Sequence, residues 1–250
     1  MNSSNHTLSI IEFLVFSKEP KRLSEISKHL SINNTTAYRI LSSLRDSEWA
    51  VKDKVTKKYR YGDRLLQIAT SLVSKLDLRN VSLPYLQQVY EKIGEDARLS
   101  SRVGLERVYI DQIQSDHELR HFVRVGQRLP LWSGAAGKAI LAHMEQNEIE
   151  AVIDRFKKSG VRLFASGRTL NIANLRKELT AIRKQGFSLS KGERIAGTIG
   201  LAAPIFGQGY KVVGAISTGG PESRFSMKAA IHFGPFICKG AKKISEQLQT

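Results

Sequence analysis

The sequence predicts an α+β fold in two parts, an N-terminal winged helix-turn-helix followed by an α/β segment on a mostly antiparallel sheet. Two observations carry the first part. Apolar residues recur at helical spacing up to Leu44, and two strand-like stretches then flank a basic turn. One observation carries the second: beyond residue 79, helical stretches alternate with strand-like runs at hairpin spacing. The expected boundaries are 1–62 for the winged unit, 63–78 for a linker helix and 79–250 for the sheet domain.

Leu8, Ile11, Leu14 and Val15 mark a first helix that Glu19-Pro20 closes. Leu23, Ile26 and Leu30 make a second, two-turn helix. After the break Ser31-Ile32-Asn33, either Asn33 or Asn34 can cap a third helix carrying Ala37, Ile40, Leu41 and Leu44 inward. Trp49-Ala50-Val51 and Lys58-Tyr59-Arg60-Tyr61 read as the two strands of a wing. From Asp63 the stripe Leu65, Leu66, Ile68, Ala69, Leu72, Val73 and Leu76 forms one long helix, too apolar on one face to stand alone. Helices are then expected over 82–94, 136–144, 146–158, 171–186 and 226–248. Strands are expected over 98–103, 107–114, 119–125, 186–190, 200–206 and 211–218.

Composition limits the partners. With 41% hydrophobic and 25% charged residues the chain can bury a large core, and its formal net charge of +16 favours polyanions. Lys52, Lys54, Lys57, Lys58 and Arg60 surround a single acid, Asp53; a solvated surface hairpin is the other explanation of that run. A lone cysteine, Cys238, permits no internal disulfide framework and no multi-cysteine zinc site. The N-terminus lacks the basic region of a signal peptide, and no apolar run approaches a membrane span. A cytoplasmic protein without membrane contact is expected.

The chemistry concentrates between Leu23 and Arg39. Two helices crossing at a tight turn let the second enter the DNA major groove by its N-terminal end. Asn33, Asn34, Thr35 and Thr36 lie there, with Tyr38 and Arg39 one turn on. Asn pairs with adenine, Arg with guanine, and Thr offers both a hydroxyl and a methyl. Asn and Thr also suit any helix N-terminus, and a trihelical unit can equally serve as a protein-contact module. The basic hairpin directly behind the third helix favours DNA.

Three stretches resemble the IclR family of transcriptional regulators: Asn34-Thr35-Thr36-Ala37-Tyr38-Arg39-Ile40-Leu41; Tyr59-Arg60-Tyr61-Gly62 with Leu65-Leu66; and a longer set in the second half. That set comprises Val125-Gly126, Leu129-Pro130-Leu131, Ala136-Gly137-Lys138-Ala139, Leu201 to Phe206 and Ser217 to Pro221. Two departures stand in the helix-turn-helix, where Ser27 replaces a usual Ala and Ser31, in the turn, a usual Gly. The resemblance implies a repressor or activator, dimeric or tetrameric, on a near-palindromic double-stranded operator. It also implies that 79–250 is a GAF-like domain binding a small effector, often an organic or aromatic acid. Carried over by position, the effector contacts are His121, Leu129, Ala135, Ala136, Ser190, Gly200, Ser217 and Gly219. Ser190 stands where several members have an acid, and Gly219 where some have Ser. No acid is expected in the pocket, which suits an anionic ligand.

Two readings of single features stay open. The run Gly134-Ala135-Ala136-Gly137 could offer backbone NH groups to a carboxylate or simply allow close helix packing. Within the expected strand 119–125, Leu119, His121, Val123 and Val125 share one face, so His121 could be a pocket residue or a hydrogen-bonded core histidine. Catalysis is not expected. Trp132 and Ala139 spoil a phosphate-loop reading of Gly137-Lys138, and Val212 spoils a dinucleotide reading of Gly207-Gln208-Gly209. The six histidines lack metal-ligand spacing, and no cofactor is expected. An enzyme or metabolite-binding protein with an accessory basic module is the competing class.

Overall fold

The computed structural model describes residues 3–74, 77–118, 123–161 and 163–249. The chain divides into two compact units, 1–76 and 77–250.

The first unit is built from α1 (Ser3–Phe16), α2 (Leu23–Leu30), α3 (Asn34–Asp46), the hairpin β1 (Ala50–Lys52) and β2 (Tyr59–Tyr61), and α4 (Asp63–Ser74). Its core joins Ile10, Leu14, Ile26, Ile40, Leu41, Leu44, Ala50 and Tyr59. The inward face of α1 therefore runs through Ile10 and Leu14, while Leu8 and Val15, expected on the apolar stripe, are exposed. Lys21 pairs with Tyr59 through reciprocal main-chain bonds of 2.8 and 2.7 Å, which fastens the wing to the α1–α2 connection. Gly62 permits the closing turn: a side chain there would meet the Glu48 carbonyl oxygen at 1.9 Å.

The second unit runs α5 (Asp77–Ile93), β3 (Ala97–Val103), β4 (Glu106–Ile113), β5 (Arg128–Pro130), α6 (Ala135–Leu141), α7 (Gln146–Lys158), α8 (Ile172–Gln185), β6 (Ser188–Lys191), β7 (Thr198–Phe206), β8 (Val212–Pro221) and α9 (Met227–Gln249). The six strands form one antiparallel sheet in the order β5-β4-β3-β8-β7-β6. Strand alternation gives the sheet two faces. Leu99, Ile199, Leu201 and Ile216 point to the face covered by α5 and α9, with Leu86, Ile237 and Ile244. Ala202 and Ala215 point to the opposite face, covered by α6, α7 and α8 through Ile140, Ile153 and Leu179.

Helix α5 starts five residues earlier than expected and continues through Pro84. Of the strand expected over 119–125, residues 119–122 lie outside the described set, and 123–126 form no strand. The strand that pairs with β4 is instead Arg128–Pro130. Val123 is buried and Val125 exposed, so the two do not share the expected face. A turn at Gly126, whose φ is +85°, ends the expected alternation before Val125 can continue it.

Candidate nucleic-acid interface and ligand pocket

The turn between α2 and α3 is a sharp helix stop followed at once by a capped start. Ser31 takes the left-handed conformation at φ 54°, and the Ile32 NH donates back to the Ser27 carbonyl at 3.0 Å. Asn33 then caps α3, its side-chain oxygen accepting from the Thr36 NH at 2.7 Å. Of the two capping candidates, Asn33 has the role. Asn34, Thr35, Tyr38 and Arg39 are exposed and Thr36 half-exposed, while Ala37, Ile40, Leu41 and Leu44 hold the helix to the core. The polar edge of α3 thus faces outward by construction.

The wing turn is ordered around Asp53. Its Oδ1 accepts from the Thr56 NH at 2.6 Å, the Thr56 hydroxyl at 2.8 Å and the Val55 NH at 3.1 Å. These bonds, those from Thr56 first, hold the carboxyl below its ordinary value. Lys54 and Lys57 in this turn are exposed. The other basic residues are partly occupied. Lys52 lies over the Tyr59 ring at 5.2 Å, Lys58 is half-buried, and Arg60 donates to the Tyr61 carbonyl and lies 3.6 Å from Asp63.

In the second unit a cavity of about 50 Å³ opens on the sheet face beneath α6. Strand register explains its walls. Ser190, Gly200 and Gly219 form one row across β6, β7 and β8, and Ser217 pairs with Arg98 on β3. Ser100 pairs with Tyr109 after a bulge, which brings Arg107 and Tyr109 of β4 onto the same face. Ala135 and Ala136 close the cavity from α6. Six of the eight effector positions expected from the sequence therefore meet in one place. Leu129 packs beside Tyr109 and Val123 in a small apolar cluster. His121 lies outside the described residues.

Several lining residues were not expected: Arg98, Arg107, Tyr109, Arg194 and Thr218. Arg98 is 4% exposed and bonds Asp96 at 2.5 Å, and Asp96 also accepts from the Ser115 NH and hydroxyl. Arg107 is 1% exposed; it donates to the Ser100 hydroxyl at 3.2 Å and stacks on Tyr109. Arg194 reaches the Tyr109 hydroxyl at 3.5 Å. Burial would push the Tyr109 phenol up, but Arg107, Arg194 and Arg98 outweigh it and hold the group below its ordinary value. Burial lowers Arg194 in turn, and the neighbouring guanidiniums add to that.

The expectation of a pocket without an acid is corrected, because Glu193 lies on its wall. That acid is already satisfied. It accepts from Lys138 at 2.5 Å and from the Gly134 NH at 2.7 Å, and Lys138 also reaches Glu178 at 2.6 Å. One backbone NH of the Gly134 run is already taken within the chain. The NH of Gly134 does hold a carboxylate, the chain's own Glu193. Gly137 serves close packing, since a side chain there would meet the Leu131 carbonyl at 2.9 Å. Gly134 has φ +77°, and a side chain on it would press on Arg194 at 3.1 Å.

A helix-turn-helix with a basic wing, joined in one chain to a sheet domain with a charged pocket, has the architecture of a transcriptional regulator. The comparisons with known proteins agree. The family model "Bacterial transcriptional regulator IclR C-terminal" matches residues 70–246. The transcriptional repressor IclR of Escherichia coli K12 is 25% identical over 247 residues, covering 98% of this chain and 89% of the relative. The HTH-type transcriptional repressor AllR of the same strain is 26% identical over 241 residues, covering 96% and 88%. Among solved structures, an IclR homologue from Microbacterium hydrocarbonoxydans complexed with 4-hydroxybenzoate superposes with a TM-score of 0.84 at 22% identity, covering 99% of each chain. The chain belongs to the IclR family of transcriptional regulators. Among the described residues, no helix is long and apolar enough to cross a membrane.

Proposed function

We propose that this regulator binds a near-palindromic double-stranded operator in a sequence-specific manner, as a homodimer or a pair of dimers, under the control of a small organic acid. The observation that carries the DNA half is the outward polar edge of α3, with Asn34, Thr35, Tyr38 and Arg39 all exposed. In this reading Asn33, Asn34, Thr35, Thr36, Tyr38 and Arg39 meet bases and nearby phosphates. Lys54 and Lys57 supply the wing's main phosphate contacts, with Lys52, Lys58 and Arg60 beside them. The apolar face of α4 supplies the reason for a second copy, since Leu66 is 60% and Leu72 62% exposed.

The effector occupies the pocket lined by Ala135, Ala136, Ser190, Gly200, Ser217 and Gly219, with Leu129 and His121 as further contacts. An anion suits walls that carry Arg98, Arg107 and Arg194. Effector and operator affinities must then change by the same factor. Fluorescence anisotropy with DNA from upstream of the chain's own gene tests this reading. Specific binding that Arg39→Ala abolishes supports it, and retention that depends on salt alone and ignores sequence counts against it.

A further inference from the structure

The charges around the pocket do not balance. Asp96 answers Arg98, and Lys138 answers Glu193. Among the described residues, neither Arg107 nor Arg194 forms an ion pair. Arg107 is nevertheless almost fully buried, and its Nε has no hydrogen-bond partner among the described residues. A buried cation without a counter-charge is costly, and the cost is relieved when an anion arrives. The phenol of Tyr109, held below its ordinary value by the surrounding guanidiniums, reports the same positive field.

Size adds a second constraint. A cavity of about 150 Å³ admits benzene, whereas a water-sized group needs about 10–15 Å³. The pocket, open on one side, has about 50 Å³ of such space, room for roughly four such groups. Gly134 sets part of this limit, because a side chain there would crowd the Arg194 stem, whose Cδ would lie 3.1 Å away.

We propose that the pocket takes a compact dianion, with two negative charges on oxygens a few bonds apart, gripped by Arg107 and Arg194 beside Arg98. This rests on the reading of the pocket as the effector site and narrows it, excluding a monoanionic aromatic acid as the best ligand. A short dicarboxylate and a phosphate group share the required chemistry. The Ser217 hydroxyl, which reaches the Arg98 carbonyl at only 3.4 Å, turns to an oxygen that the guanidiniums leave uncovered.

Calorimetric titration of the full-length protein with oxalate, inorganic phosphate, acetate and 4-hydroxybenzoate tests the proposal. Oxalate or phosphate is expected to bind one per protomer, at least roughly tenfold more tightly than either monoanion, and whichever wins identifies the source of the charge. Arg107→Gln and Arg194→Gln are each expected to weaken that binding by roughly 10- to 100-fold, the range for losing a charged hydrogen bond. Arg107→Lys, which keeps the charge but not the fork, should fall between. Should Arg107→Gln fail to fold, the half-exposed Arg194→Gln carries the test. Equal or tighter binding of acetate or 4-hydroxybenzoate overturns the proposal, as does dianion binding that both glutamine variants leave unchanged, or no dianion binding at all. Tight dianion binding that leaves operator affinity unaltered would instead sink the regulatory reading and spare this one.

Discussion

Replacing Ser31 by Gly and Ser27 by Ala should stabilise the DNA-binding unit, because each serine imposes a specific local cost, Ser31 at the turn and Ser27 inside α2. Ser31 is held at φ 54° and ψ 42°, a region that costs a residue with a side chain about 1–2 kcal/mol. Glycine removes that strain but gives back about 0.4–1 kcal/mol through a freer unfolded chain. The expected net gain is about 0.5–1 kcal/mol. Ser27 is 6% exposed and its hydroxyl has no hydrogen-bond partner among the described residues. Leaving a buried hydroxyl unsatisfied costs about 1–3 kcal/mol, so Ser27→Ala is expected to gain about 1 kcal/mol. The Ser27 carbonyl, which accepts from Ile32 to close the helix stop, is untouched by the change.

Hydrogen exchange of the α2 and α3 amides, followed by mass spectrometry on the full chain, measures this directly. Each single variant should slow exchange by roughly fivefold, and the pair by up to roughly 30-fold where exchange follows unfolding of the unit. The two sites share one helix stop, so a modest departure from additivity is expected. Peptides from 77–250 provide the internal standard and should not change. Unchanged or faster exchange in Ser31→Gly would refute the strain argument. Faster exchange in Ser27→Ala would show that the hydroxyl is satisfied after all.

Four further outcomes follow from the same geometry. Asn33→Ala should cost about 1 kcal/mol of helix stability, whereas Asn33→Asp should keep the cap yet weaken operator binding by setting an anion against phosphates; exchange rates and anisotropy separate the two. Lys54→Ala and Lys57→Asn should each lower the slope of log affinity against log salt by about one without changing sequence preference. Glu193→Gln breaks the fully buried pair with Lys138 and should destabilise the second unit by about 3–5 kcal/mol in thermal unfolding, with Lys138→Met in the same chain recovering part of it. Burial holds the His143 imidazole below its ordinary 6.5. As pH falls through that value the unfolded chain takes a proton that the folded chain refuses, so stability is lost on the acid side; urea midpoints at pH 7 and 5 should show a shallower loss in His143→Gln.

The DNA-binding half was legible because its determinants are local. A cap, a four-residue apolar spacing and a basic turn each act within a few residues of themselves, and Asn33, Ile40, Leu44 and Lys54 all lie where that pattern puts them. Even the two atypical turn residues show in the structure as the costs their chemistry implies. The first helix was read less well. Leu8 and Ile10 both fit a helical repeat, and only the packing of α1 against Tyr59 and Leu41 selects Ile10. The strand β5 was missed because Arg128-Leu129-Pro130 is short and ends in a residue that cannot donate to a ladder; it forms as an edge, where β4 supplies the pairing.

The pocket shows where reading one segment at a time runs out. Its small residues were found because they sit in recognisable stretches, but its arginines look like the solvated face of an amphipathic hairpin. Arg98 and Ser100 alternate with Leu99 and Ser101, and Arg107 and Tyr109 with Val108 and Ile110, as an exposed edge would. What overturns that reading is the other layer. Helix α6 with its alanines covers this face, so these polar residues meet one another, and the bulge after Leu99 decides which of them do. Two buried guanidiniums, Arg98 and Arg107, with the half-exposed Arg194 beside them and Asp96 paired to Arg98, are a poor choice for stability alone. Neutral replacement makes that argument quantitative: Arg107→Met should leave the unliganded protein as stable as before or more so, while removing the stabilisation that a dianion confers. A large loss of unliganded stability would make Arg107 a structural residue. The energy released when a ligand neutralises the site can shift the operator equilibrium only by the part that differs between the two regulatory states. An arginine pair that closes over the ligand in one state and opens in the other provides such a difference. A rigid pair would bind tightly and regulate nothing.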